Sequence, residues 1–295
     1  MIERQEQFVS PGRRLREVID NGVAVLPGAF NALSAMAIAR AGFEGVYISG
    51  AGLSNAVAGL PDVGLMTLTE AATHAGYIAS AVDCPTLADA DTGFGEAINV
   101  TRTVEAFERA GVAGIHLEDQ RLPKRCGHLA GKELIEPEAM AEKIRAAVAA
   151  RSDPEFWIIA RVDSRAVNGL DDAIERAKRY VDAGAGAVFP EALESEAEFE
   201  RFAGAVHVPL LANMTEFGKS PLLGVAALRQ MGYRMVIFPM SLVRVSMHAT
   251  EAFLAELRGT GTQAGWLERM QTRRALYDLL DYDGLVARDA QQRRT

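Results

Sequence analysis

Five consecutive residues, Lys124-Arg125-Cys126-Gly127-His128, surround one of the chain's two cysteines with three basic or potentially basic side chains. Cations beside sulfur favour the thiolate, so this spacing predicts a thiol that ionises more readily than a free one. Gly127 has no side chain to hold the backbone away from a ligand. A reactive thiol in such a loop could donate a proton or act as a nucleophile. The competing reading is an inert buried cysteine, but burying three charges around an inert sulfur would be costly.

A second group is acidic. Asp89 and Asp91 stand two apart, and Glu118 and Glu191 end apolar runs elsewhere. Brought together, four carboxylates would repel and raise one another's pKa values. A hard divalent cation would relieve this, and an all-oxygen ligand set suits Mg²⁺ better than zinc. The alternative is neutralisation by Arg161 without metal. Arg161, Arg244, Arg273, Lys124 and Arg125 supply positive charge. Arginine forks grip carboxylates in pairs, so a substrate with several carboxylates fits. Arg244 would cap the site just past the eighth apolar run, whereas Arg273 lies in a helical stretch (267–280) and reads as a solvated surface residue. His74, His116, His207 and His248 show no ligand spacing. Cys84, before Pro85, reads as structural, and Met214, Met231, Met235 and Met240 read as core filler. The Gly93-Phe94-Gly95 turn is followed by Glu96, which would repel phosphate, so it is not a nucleotide cradle.

Positioning these groups requires a framework. Apolar strand-like runs at 23–26, 45–49, 86–89, 114–118, 157–161, 187–190, 209–212 and 234–238 alternate with amphipathic stretches at 33–41, 69–81, 99–110, 137–150, 171–183, 195–203 and 222–231. A further one follows at 241–257. Several of these helices end at glycine, as at Gly42, Gly111 and Gly184. Eight alternations with short connections predict an α/β fold, a (β/α)8 TIM barrel, over a doubly wound open sheet. In a parallel barrel all strand C-termini share one face. Here they carry Ser49, Asp89, Glu118, Arg161, Glu191 and Asn213.

The 295 residues are 49% hydrophobic, enough for a sizeable core, and no linker or low-complexity stretch divides them. One barrel domain over 1–295 with a C-terminal helical extension is therefore expected. A net charge of −8, from 31 basic and 39 acidic residues, disfavours nucleic-acid or anionic-membrane partners. Residues 1–16 are polar, with no signal-peptide core, and no apolar run is of membrane-spanning length. Two cysteines make no disulfide framework, which fits the cytoplasm.

With these residues in view, the chain resembles the isocitrate lyase / phosphoenolpyruvate mutase superfamily, and within it the methylisocitrate lyase branch. The segments that carry the resemblance are Ser49-Gly50-Ala51-Gly52, Gly59-Leu60-Pro61-Asp62, Asp89-Ala90-Asp91-Thr92-Gly93-Phe94-Gly95 and His116-Leu117-Glu118-Asp119-Gln120, followed by the Lys124 to His128 loop. Phe189-Pro190-Glu191-Ala192, Leu211-Ala212-Asn213-Met214-Thr215-Glu216-Phe217-Gly218 and Met270-Gln271-Thr272-Arg273 complete them. Ala51 interrupts a run of glycines common in the family. Isocitrate lyases proper are longer, which places this chain with the methylisocitrate branch. The resemblance implies a barrel whose last helix is swapped with a neighbouring subunit in a homotetramer, with Mg²⁺ held by Asp89 and Asp91. It implies substrate contacts from Ser49, Gly50, Ala51, Gly127, Arg161, Glu191, Asn213, Met214, Thr215, Arg244 and Arg273, which returns Arg273 to the site.

The resulting expectation is Mg²⁺-dependent cleavage of 2-methylisocitrate to pyruvate and succinate in the 2-methylcitrate cycle of propionate breakdown, with Cys126 as the catalytic proton donor. The hydroxyl base is left open between a metal-site carboxylate and Tyr47. The alternatives are a lyase for isocitrate or 2,3-dimethylmalate, an oxaloacetate decarboxylase, and a non-catalytic metabolite-binding barrel.

Overall fold

A computed structural model describes residues 9–293. Residues 1–8 of the polar N-terminal stretch lie outside them. Eight strands form: β1 (Ala24–Ala29), β2 (Val46–Ile48), β3 (Thr86–Asp89), β4 (Gly114–Glu118), β5 (Trp157–Val162), β6 (Ala187–Pro190), β7 (Leu211–Asn213) and β8 (Met235–Phe238). All pairings are parallel, in the order β6-β5-β4-β3-β2-β1-β8-β7. A single parallel bridge between Val188 and Leu210 joins the two ends of this order. The result is the expected barrel, nearly closed, with helices outside.

The strands read as unbroken apolar runs because both faces are covered. β4, β5 and β6 are buried at every residue. Alternation then sorts side chains into two layers. Leu26, Tyr47, Leu87, Trp157, Ile159, Phe189, Leu211, Met235 and Ile237 fill the barrel interior. Ala88, Ile115, Leu117, Ile158, Ala160, Val188, Ala212 and Val236 face the surrounding helices.

An unforeseen helix, Pro11–Asn21, places Leu15 and Ile19 against the interior cluster. Ser10 caps it by accepting from the Arg13 N–H at 3.3 Å. Its N-terminal turn comes so close to the 155–157 segment that a side chain at Gly12 would strike the Glu155 carbonyl. The polar composition of this stretch concealed it, because only Leu15, Val18 and Ile19 mark the apolar side. The helix expected over 267–280 is in fact a 3₁₀ turn, Ala264–Arg269, and a short helix, Arg273–Leu279. The break falls where Met270 turns extended and Thr272 caps the second piece. The helix Ser241–Thr260 buries only Val243 and leaves Val245, Met247 and Leu254 exposed. Among the described residues, no helix is long and apolar enough to cross a membrane.

Candidate active site at the strand C-termini

The side-chain file that fills the barrel continues upward into the site. Leu87 is followed two residues on by Asp89, Gly114 by His116 and Glu118, Ile159 by Arg161, Phe189 by Glu191, and Leu211 by Asn213. The parallel register aligns Asp89 with His116 and Glu118 with Arg161. The polar cluster is thus the top layer of the barrel interior.

Asp91 adopts a left-handed backbone with φ of 47°. Asparagine and aspartate are the non-glycine residues that tolerate this best. The turn is held by the Asp91 N–H donating to Asp89 Oδ1 at 2.9 Å and the Glu118 N–H donating to the Asp91 carbonyl at 2.9 Å. Ser49, expected as the last residue of a strand, instead caps the helix Gly50–Ala56, its Oγ accepting from the Gly52 N–H at 3.0 Å. Gly50 lies against Asp89, where a Cβ would come within 2.7 Å of Oδ2.

Arg161 is almost wholly buried at the centre. Its Nε donates to Asp163 Oδ2 at 2.9 Å and its Nη2 to Asp163 Oδ1 at 3.1 Å. Its Nη1 lies 3.1 Å from Glu118 and its Nε 4.0 Å from Glu191. Lys124 is equally buried and pairs with Asp62 and, at 2.8 Å, with Asp91. Six carboxylates (Asp62, Asp89, Asp91, Glu118, Asp163 and Glu191) therefore face three permanent cations, Lys124, Lys132 and Arg161. Burial pushes Asp89, Asp91 and Glu118 above the usual carboxylate range, despite the pull of Lys124 on all three and of Arg161 on Asp89 and Glu118. Both Glu118 oxygens and Asp91 Oδ1 lack an aligned hydrogen bond. This surplus of negative, under-bonded oxygen fits a hard divalent cation. Among the described residues no three such side chains are grouped to hold a metal by themselves. One or two carboxylates supplemented by water and substrate is the arrangement magnesium favours.

The loop from 124 to 128 closes over this layer. Gly127 packs so tightly that a Cβ would sit 2.5 Å from Arg161 Nη2 and 2.5 Å from Glu191 Oε1. His128 Nε2 lies 2.9 Å from Glu191 Oε1, and its Nδ1 accepts from the Lys219 N–H at 2.9 Å. The basic side chains do not cluster on the sulfur as the sequence suggested. Lys124 turns to the aspartates, Arg125 is exposed, with its Nη1 donating to the Ala130 carbonyl at 3.4 Å, and His128 faces Glu191. Burial accordingly raises the Cys126 thiol above its ordinary pKa, with Glu191 adding to the effect. The premise of an easily formed thiolate is overturned, because the three basic side chains beside the half-buried sulfur in sequence turn to other partners.

Asn213 Nδ2 reaches Glu191 at 3.3 Å, and its Oδ1 accepts from the Thr215 N–H at 3.0 Å. Arg244 Nη1 donates to the Glu216 carbonyl at 2.7 Å and approaches Thr215 Oγ1 at 3.5 Å. Ser49, Gly50, Gly127, Arg161, Glu191, Asn213, Thr215 and Arg244 thus share one mouth, beside Asp89 and Asp91, with Ala51 in the first turn of the helix that Ser49 caps. Two expected contacts stand apart. Met214 directs its side chain into the outer hydrophobic layer, where its sulfur accepts from the Leu223 N–H at 3.3 Å. Arg273 is exposed on a helix that packs against the helix Ala32–Arg40, and the structure does not bring it to the other residues.

The fold gathers several polar residues to which the sequence reading gave no settled role. His116 Nε2 lies 2.8 Å from the Tyr47 hydroxyl. Burial, with help from Arg161, lowers its pKa to about 3, so the imidazole is neutral. Burial also raises the Tyr47 hydroxyl well above its ordinary value, which weakens its case as a base at neutral pH. Asp62, Gln120, Lys132 and Asp163 complete the network. Period-two parity from Gly114 reaches His116 and Gln120, and from Ile159 it reaches Asp163, whereas Asp62 and Lys132 lie in loops without any periodic signal.

The family model described as phosphoenolpyruvate phosphomutase matches residues 15–258. The chain belongs to that family. Within it, a protein of Corynebacterium glutamicum named probable 2-methylisocitrate lyase 2 is 54% identical over 91% of this chain and 87% of its own length. The 2-methylisocitrate lyase of Aeropyrum pernix is 50% identical over 97% and 92%. Among solved structures, 2,3-dimethylmalate lyase, described as a PEP mutase/isocitrate lyase superfamily member, superimposes with a TM-score of 0.91 at 35% identity, covering 97% of this chain and 96% of that one. Phosphonopyruvate hydrolase, solved with oxalate and Mg²⁺, gives 0.87 at 30% identity, over 96% and 99%. The resemblance read from the motifs is thereby borne out, including its methylisocitrate lyase branch.

Proposed function

We propose that the protein is a Mg²⁺-dependent carbon–carbon lyase that splits 2-methylisocitrate into pyruvate and succinate, in the 2-methylcitrate cycle of propionate catabolism. The observation that carries this reading is the closure of the Cys126 loop over a layer holding both excess carboxylate and a buried arginine. Similarity to proteins named 2-methylisocitrate lyase at 50% identity and above supports the choice of substrate.

Asp89 and Asp91 would hold Mg²⁺, directly or through water, with Glu118 and Asp62 nearby. Bound there, the ion supplies Lewis acidity that lowers the pKa of the substrate hydroxyl. A carboxylate of this layer takes the hydroxyl proton. The carbon–carbon bond then breaks with formation of the pyruvate carbonyl, and its electron pair passes to the succinate fragment as an enediolate. Arg161, Asn213 and Thr215 present donors to that charge. The Cys126 thiol, kept protonated by burial, donates its proton to carbon and completes succinate. The closed loop excludes water while this charge exists. Ser49, Gly50, Ala51, Glu191 and Arg244 complete the contacts, with Met214 limited to its backbone. Arg273 would act only if assembly brought it from another subunit. The exposed apolar side chains of Ser241–Thr260 and of the C-terminal helices support a homotetramer with that helix exchanged. We place the protein in the cytoplasm, a reading supported by its acidic balance and its two free cysteines.

Turnover of 2-methylisocitrate, isocitrate and 2,3-dimethylmalate with Mg²⁺ tests the reading. The highest kcat/KM is expected for 2-methylisocitrate, and a clear preference for either of the others would overturn the assignment.

A further inference from the structure

The segment carrying Cys126 leaves the barrel on a short antiparallel stem, in which Gln120 bridges Leu134 and the Arg121 N–H donates to the Glu133 carbonyl at 2.8 Å. Each limb of this stem sends one buried side chain inward to the same carboxylate oxygen. Asp163 Oδ1 accepts from Gln120 Nε2 at 3.1 Å, Lys132 Nζ at 2.9 Å and Arg161 Nη2 at 3.1 Å. The same two side chains grip the loop backbone. Gln120 accepts from the Arg125 N–H at 2.9 Å and donates to the Arg125 carbonyl at 2.9 Å, while Lys132 donates to the Gly127 carbonyl at 2.6 Å.

We infer that Asp163, through Gln120 and Lys132, is a latch that holds the Cys126 loop closed and ties its closure to the pose of Arg161. Gln120 and Lys132 are positioning residues in this scheme. The inference rests on the reading of Arg161 as a substrate contact and Cys126 as the proton donor. Its physical basis is that one buried carboxylate serves both. Each donor withdrawn from Asp163 leaves charge under-satisfied in a dry site, and such groups are costly. Opening the loop removes the two stem donors together, and Arg161 alone then remains to hold the carboxylate. Binding of a substrate carboxylate to Arg161 and seating of Gly127 on it are in this way made mutually supportive.

The test measures alkylation of Cys126 by iodoacetamide without substrate, followed through the mass of its peptide so that Cys84 does not interfere. Lys132→Met and Gln120→Leu are expected to react at least about tenfold faster than the parent, since each loses its bond to the Asp163 carboxylate together with its grip on the loop backbone. Tyr233→Phe, which removes a buried hydroxyl bonded to the Phe199 carbonyl far from the loop, serves as the control for general loosening and is expected to react at the parent rate. Parental rates in the folded latch variants, or equal acceleration in Tyr233→Phe, would overturn the latch. If Lys132→Met fails to fold, Gln120→Leu decides by itself. Because no substrate is present, a failure to cleave 2-methylisocitrate with accelerated alkylation would remove the substrate assignment and leave the latch.

Discussion

Lys124 Nζ lies 2.8 Å from Asp91 Oδ1, so a lysine of the Cys126 loop neutralises one of the two carboxylates proposed to hold magnesium. The lysine side chain is 2% exposed, and breaking a buried pair by removing one partner costs about 3–5 kcal/mol. Lys124→Met should therefore lower the melting temperature in EDTA by many degrees. Mg²⁺ would supply the missing charge, so the rise in melting temperature on adding it should be larger in the variant than in the parent. Equal rises would show that lysine and metal do not share Asp91.

In the proposed site Mg²⁺ would compete with protons for Asp89 and Asp91, both raised chiefly by burial, beside Glu118, which is raised as well. Raised carboxylates hold protons to higher pH, so metal affinity should fall as pH falls. EDTA should abolish turnover and Mg²⁺ restore it, with a weaker apparent affinity at pH about 6 than at about 8. Asp91→Asn should weaken this affinity further. An affinity independent of pH would contradict the arrangement.

The Cys126 thiol, raised by burial, should remain protonated at neutral pH. The midpoint of its alkylation with pH should lie above the free-thiol value of about 8.5. Cys126→Ser should retain the fold and lose about 10² to 10⁴ in kcat, the usual range for a general acid. Near-parental turnover, or an alkylation midpoint near 7, would remove sulfur from the proposed role.

Gly127→Ala places a methyl group 2.5 Å from Arg161 Nη2, and that guanidinium is fixed by Asp163. The loop cannot seat without moving. A shift of about 1 Å at a catalytic group can cost about a hundredfold, so kcat/KM should drop by that order while the melting temperature changes little. Full activity would mean that the loop need not seat on Arg161.

Two sets of carboxylates give stability opposite slopes with pH. Asp119 is raised to about 6 by burial and then by Asp163, and Asp89, Asp91 and Glu118 are raised as well. Such groups bind protons more tightly when folded, so stability rises as pH falls toward their unfolded values near 4. Burial would also raise Glu191, but Arg161, His128 and Lys132 outweigh it and hold it well below the usual range; Asp163 is lowered likewise, against its burial, by Arg161 and Lys132. Their contribution is present above the unfolded value and is lost as pH falls through the folded one. His116, lowered to about 3 chiefly by burial, opposes the first set from pH about 6.5 downward, because the unfolded imidazole takes up a proton there. The test therefore compares the parent with Asp119→Asn in EDTA: from pH about 7.5 to about 5.5 the urea midpoint of the parent should gain on that of the variant, and both should fall below pH about 4. A parent midpoint that loses ground to the variant over that interval would reverse the sign assigned to Asp119.

By itself the sequence determined the barrel and its working face. Eight buried runs with short connections leave few other ways to cover both faces of a parallel sheet, and polar residues such as Asp89, Glu118, Arg161 and Glu191 at the ends of those runs have one common place to go. Its motifs also identified the family. Tertiary structure decided what each charge touches. Lys124 and His128 lie within two residues of Cys126 along the chain, yet they turn to Asp91 and Glu191, because a buried carboxylate draws polar donors more strongly than a thiol does. Parity beyond β4 and β5 points Gln120 and Asp163 inward, but Lys132 lies in a loop without periodic signal, and only the folded chain brings Gln120 and Lys132 onto one oxygen of Asp163.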